Sequence, residues 1–295
     1  MAHHLVLEME TWCKKNGAEY SYIAIENGNE ASVNLFTLKL GYRKYRAPSI
    51  LVQPIYGKTK SLDSRNIKIV KLSIMQAEKL YKETQGTMEF FPKDIDVILK
   101  SPLNAGTWLA YFKGKDEDDD PQTMGWAMLS LWRYDKLLKF EVRGASQRTK
   151  HLATLSRIAG KILNPWLLVP CMPNVFNTVF GIQVMYGLHV SPPITKDGDN
   201  ALRNQKRDGK LLNTLCWHAH NVALQEGCQF LVTEIGSHDP LKLSIPHWKS
   251  ISGIDLWCTK SFALDSTQHK ELGHRIILTR LSSISIDVHH FPNHS

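Results

Sequence analysis

Histidines, carboxylates and cysteines are the residues of this chain that could do chemistry, and their spacing limits what each can do. His218 and His220 lie in a stretch where Leu212, Leu215, Cys216, Ala219, Val222 and Ala223 recur with helical spacing. On a helix, residues two apart point about 200° from each other, so the two imidazoles cannot share a metal ion and read as structural. Cys13, Cys171, Cys216, Cys228 and Cys258 include no C-x-x-C pair, which excludes a zinc ribbon and a thioredoxin-like redox pair. The run Asp116-Glu117-Asp118-Asp119-Asp120 could hold a cation and reads as a solvated hairpin loop. Arg143, before Gly144, suits an anion or a surface ion pair. Glu234, His247 and Asp255 fall near the ends of expected elements, where a His–carboxylate acid–base pair is conceivable. No G-x-G-x-x-G or P-loop is present.

The elements that must position these residues alternate between helix and strand. Leu5, Met9, Trp12 and Cys13 form one apolar stripe of an opening helix, which Asn16-Gly17 ends. Residues 18–26 form an aromatic and β-branched strand that closes on Glu26. After the turn 27–29, Asn29 caps a helix reaching Leu40, with Val33, Phe36 and Leu40 on its buried side. A strand over 47–53 and a polar linker over 61–66 follow. Next come a strand at 67–72, a helix at 75–84 and strands at 106–112, 126–132 and 139–143. A helix over 149–163, a Pro-rich connector and a strand at 185–190 lead to a polar insertion, 191–210. The helix 211–225, strand 230–235, a short helix within 239–250 and strand 255–262 complete the pattern. Helix, Gly17, strand at one end echoes helix, Gly227, strand at the other, 210 residues apart.

The 295 residues, 43% hydrophobic and 22% charged, exclude a disordered, collagen-like or coiled-coil chain. A formal charge of +8 permits nucleic acid, membrane surface or acidic cofactors as partners and compels none. Without an RNP-like strand, zinc finger or basic helix, nucleic acid is not expected. No apolar run approaches the roughly 20 residues of a membrane span, and the N-terminus lacks a secretory signal pattern. An intracellular protein of nucleus or cytoplasm is expected.

Residues 16–45, NGAEYSYIAIENGNEASVNLFTLKLGYRKY, resemble the C-terminal half of a GNAT acetyltransferase, with Asn29, Leu35-Phe36 and Gly41-Tyr42 on its recurring positions. The phrases APSILVQP, EFFPKDID, FEVRGAS, HAHN, IPHWK and DLWC extend the likeness to the plant hookless group of probable N-acetyltransferases. The resemblance implies a mixed α/β (α+β) fold, a GNAT-like mixed sheet flanked by helices. It implies the C-terminal half of one GNAT domain over 1–60 and a complete, diverged GNAT-like domain over 63–262, with a divergent, partly disordered tail at 263–295. Acetyl-CoA is the implied cofactor, with Asn29 and Phe36 beside it, and Glu26 is the implied base for an attacking amine. A fold of this type would bring Glu234, His247 and Asp255 toward one cleft. The acceptor would be an amine of a protein or small molecule, with protein partners or self-association also open.

Two departures from the family pattern stand out. The family's Arg/Gln-x-x-Gly-x-Gly/Ala loop, which holds pyrophosphate on backbone N–H groups, would fall just before residue 3, so the chain is expected to be truncated at its N-terminus. In the second unit its place is 191–210, where Lys196, Gly198, Arg203 and Gly209 lack cradle spacing. Phe36 occupies the position of a general-acid Tyr and has no proton to give, and one extra residue separates it from Gly41. Two readings stay open: an acetyl-CoA-dependent N-acetyltransferase, and a non-catalytic GNAT-fold regulator acting through protein contacts in plant growth and hormone response.

Overall fold

Helix α1, Ala2–Lys15, carries the apolar recurrence of Leu5, Met9 and Cys13. Gly17 ends it at φ 78°, the left-handed region that favours glycine, and the Ala18 N–H donates to the Cys13 carbonyl at 3.0 Å. Strand β1, Tyr20–Glu26, follows. Helix α2, Glu30–Asn34, passes into a π-helical turn at Leu35–Lys39. The computed structural model describes residues 2–56, 59–88, 91–113, 125–142, 146–163, 175, 179–191 and 201–262. The acidic run, Arg143, Cys171 and the expected tail 263–295 lie outside the described residues.

Cα packing divides the chain into two units, at other boundaries than the expected break at 60–63. Unit 1 holds Met1–Ile50, Ile235–Ser237 and residues from Ser252 on; unit 2 holds Leu51–Glu234 and His238–Ile251. The physical reason is strand pairing. β9, Gly253–Ser261, pairs antiparallel with β1 from Glu26↔Asp255 to Tyr20↔Ser261. On its other edge β9 takes β2, Arg43–Arg46, and then Ser49 and Ile50, the first residues of β3, Ser49–Pro54. Ile23, Ile25, Phe36, Leu40, Tyr42, Leu256 and Cys258 form the core of unit 1.

Unit 2 is a large mixed sheet flanked by helices. Its strands are β4, Ile67–Lys71; β5, Asn104–Phe112; β6, Trp126–Trp132; β7, Ile182–Ser191; and β8, Phe230–Ile235. The order is β3-β8-β7-β6-β5-β4. β4 to β7 are successively antiparallel, whereas β7 and β8 are parallel. The parallel step needs a crossover, which helix α6, Ala201–Gln225, supplies. Helices α3, Ile74–Gln85, and α4, Ile95–Lys100, cover the face that carries Leu109, Trp126 and Met128. The opposite face meets α6, where Trp108 packs edge-on against His218 at 5.3 Å. Gln147–Leu163 forms helix α5. Of the expected strand at 139–143, the described residues retain only a bridge between Phe140 and Phe180. The expected helix within 239–250 is a 3-10 turn at Pro240–Ser244.

Candidate functional site

β7 and β8 run side by side for four residues and then part. Ile182↔Phe230 to Met185↔Thr233 are paired, and the Thr233 hydroxyl donates to the Met185 carbonyl at 2.9 Å on the last rung. β7 continues for six residues, Tyr186–Ser191, which among the described residues have no partner on the β8 side. At the parting point the register with β6 slips: Ser130 faces Tyr186 but Met128 faces His189, one residue too many on β7. That residue is accommodated by a bulge at Gly187, φ +62°. A crevice at the C-terminal ends of parallel strands is where open α/β sheets bind ligands. Here it exposes roughly 20 Å of strand edge, at the usual rise per residue, with N–H and C=O groups ready for an extended amide chain.

Two titratable groups flank the opening. His189 lies on β7, half-buried against Trp126 at 5.4 Å, and burial holds its pKa below the ordinary imidazole value. Glu234 is exposed near the end of β8. Sequence reasoning singled out Glu234 and missed His189, although its place near the end of an expected strand could have marked it. Tyr186 stacks on Tyr81, and burial pushes its pKa up to about 12. Of the remaining expected trio, the His247 ring nitrogen Nδ1 lies 2.8 Å from the Ile245 carbonyl, and Asp255 belongs to unit 1.

In unit 1, Glu26 is exposed at the end of β1, and its carbonyl accepts from the Asn29 N–H at 2.9 Å. The Asn29 side chain accepts from Ser32 N at 3.1 Å and so performs a cap. Phe36 is buried, edge-on to Tyr42 at 5.3 Å, in the wall of a cavity of about 30 Å³. The extra residue before Gly41 is absorbed by the π turn, in which Leu40 N–H donates to the Leu35 carbonyl. Glu10, Cys13, Ser21 and Tyr42 also line the cavity, so Phe36 is brought together with them and not with Glu26 or Asn29. Burial pushes the Tyr42 phenol up to about 12, and its hydroxyl donates to Ser21 Oγ at 3.0 Å.

Among the described residues no cluster of His, Cys, Asp and Glu could hold a metal, and no helix is long and apolar enough to cross a membrane.

The mixed sheet flanked by helices is the fold class implied by the GNAT resemblance. No family model matches the chain. Two Arabidopsis thaliana proteins, "Probable N-acetyltransferase HLS1" and "Probable N-acetyltransferase HLS1-like", are 41% and 39% identical to it over 276 and 274 residues, 88% of its length. The chain is thus a relative of these hookless-type proteins, and it spans 64% and 62% of their lengths. A GCN5-related N-acetyltransferase of Sphaerobacter thermophilus is similar in structure at a TM-score of 0.48 and 12% identity, covering 88% of this chain and 67% of that one.

Proposed function

We propose that this chain is part of an N-acetyltransferase of the hookless-like group that uses acetyl-CoA and acts on a primary amine of a protein or small molecule. The observation that carries the reading is the 41% identity to a named probable N-acetyltransferase, sustained along 88% of the chain. The β7–β8 crevice of unit 2 fits the cofactor's extended amide arm, because the free edge of Tyr186–Ser191 offers main-chain donors and acceptors along it. Acyl-CoA, when bound, supplies an activated thioester. The start of α6 at Ala201 would favour its phosphate charge through the helix dipole. His189, kept neutral by burial, and exposed Glu234 are the groups that could take a proton from an attacking ammonium in this unit. In unit 1, Glu26 is proposed for the same task, and Asn29 and Phe36 for a place beside cofactor. An intracellular location is also proposed. The free thiols of Cys216, Cys228 and Cys258, all buried, suit a reducing compartment.

Isothermal titration of the whole chain with acetyl-CoA tests the reading, followed by mass spectrometry of amine acceptors incubated with both. Saturable binding and a gain of one acetyl group on the acceptor are expected. Absence of heat at millimolar acetyl-CoA would sink the proposal.

A further inference from the structure

We propose that helix α3 is the positioning element of the β7–β8 crevice, holding the Gly187 bulge in its open form through Tyr81 and Gln85. The inference rests on the reading of that crevice as a site for an acyl-CoA chain. Tyr81 and Gln85 stand one turn apart on the same face of α3. Each reaches the same residue of β7. A Cβ added to Gly187 would collide with the Tyr81 hydroxyl and its Cε1, so the ring fills the space a side chain would need. Gln85 Nε2 donates to the Gly187 carbonyl at 3.3 Å and directs that peptide group toward α3.

The tyrosine contact cannot yield easily, because Tyr81 is anchored both at its hydroxyl and on its ring face. Its hydroxyl donates to Ser130 Oγ at 2.7 Å, and Ser130 Oγ in turn lies 2.6 Å from Thr107 Oγ1. Its ring stacks on Tyr186, centroids 6.3 Å apart at 11°, and the Tyr186 hydroxyl donates to Asn104 Oδ1 at 3.2 Å. Tyr81, Thr107 and Ser130 are all buried. The hydroxyl chain therefore fixes the ring to β5 and β6, and the ring fixes where β7 can bend. Were the ring absent, the extra residue could shift along β7, since a bulge is held in register only by what packs against it. The parting point of β7 and β8 would then move with it.

Three variants test this: Gln85→Glu, which keeps shape but cannot donate at neutral pH, Tyr81→Phe, and Gly187→Ala. Two readouts are taken, titration with CoA and amide hydrogen exchange over Tyr186–Val190, each beside a thermal melt. Gln85→Glu and Tyr81→Phe should weaken CoA binding by roughly three- to tenfold, the equilibrium effect of one neutral hydrogen bond, with the melting midpoint lowered by no more than a few degrees. Exchange at Gly187 to His189 should quicken in both. Gly187→Ala should abolish measurable binding. If it fails to fold, the milder pair still decides. Wild-type affinity and wild-type exchange in Gln85→Glu and Tyr81→Phe would overturn the proposal. If the unaltered chain binds no CoA, the reading of the crevice falls, and the exchange data still uphold or overturn the bracing by α3.

Discussion

The His220 imidazole is fully buried, with Nδ1 3.3 Å from Gln53 Nε2. Burial, reinforced by the Lys60 ammonium nearby, pushes its pKa down from 6.5 to about 4. The unfolded chain therefore takes up this proton first as pH falls. The stability is complete above the ordinary imidazole value and is lost progressively between pH 6.5 and 4, on the order of 3 kcal/mol in all. Thermal melts from pH 7 to 4.5 should fall less steeply for His220→Gln than for the unaltered chain; parallel curves would contradict this. Asn29 offers a second test at this scale. Its side-chain cap should make Asn29→Ala cost about 1 kcal/mol while Asn29→Asp costs almost nothing, measured by urea unfolding. The cap was legible in sequence because Asn before a helical stripe has a local meaning. The cavity around Phe36 was not legible: Glu10 comes from α1, Ser21 from β1 and Tyr42 from the start of the β2 segment, and nothing in their spacing announces that they meet.

Elements with a strong internal period were the readable ones. β5 and β6 lie within a residue or two of expectation, as does α3, where the Ser73–Gln76 capping box marks the start. β2 was missed because Arg43, Lys44, Tyr45 and Arg46 are all exposed, leaving no alternation to read; only β9 makes this segment a strand. α6 begins ten residues before the expected Leu211, since its polar first turns continue a helix whose apolar stripe comes later. The echo between Gly17 and Gly227 has a structural counterpart. Both have φ near +75°, and Cys228 N–H donates to the Ala223 carbonyl as Ala18 N–H does to that of Cys13, each at 3.0 Å. Gly17→Ala and Gly227→Ala should each cost about 1 kcal/mol, because a Cβ is strained in this conformation whatever space surrounds it. The π turn yields a further expectation. Deleting Leu38, which is 77% exposed, removes the inserted residue and restores the α-helical spacing of four between Leu35 and Leu40. Such a variant should melt within a few degrees of the parent by circular dichroism, whereas deletion of buried Phe36 should not fold.

At the scale of the whole chain, the division into units is where local pattern carries least information. A sequence break after the polar linker at 61–66 looks natural, yet strand pairing ignores it. β3 supplies Leu51, almost fully buried, Gln53 beside His220 and the Val52 carbonyl that accepts from Trp248 N–H at 2.9 Å. Just past the strand, Ile55 N–H donates to the Gln229 carbonyl at 2.8 Å. All of these contacts lie inside unit 2. β9 has the opposite history: although it follows the last elements of unit 2 in sequence, its residues Asp255–Ser261 are paired with β1, more than 200 residues earlier. Contacts so distant leave no local trace, which is why a linear split groups β9 with the elements that precede it in sequence. Two fragments make the difference measurable. A fragment of residues 51–251 keeps β3 to β8 with their helices and should unfold in one cooperative transition. A fragment of residues 63–262 loses β3, uncovering the edge of β8, and keeps β9 without β1 or β2. Its unpaired, apolar strand edges should make it aggregate or melt well below the first. Size-exclusion chromatography and thermal melts of the pair decide between the two divisions, and a 63–262 fragment that is monomeric and equally stable would reverse the assignment of β3 and β9.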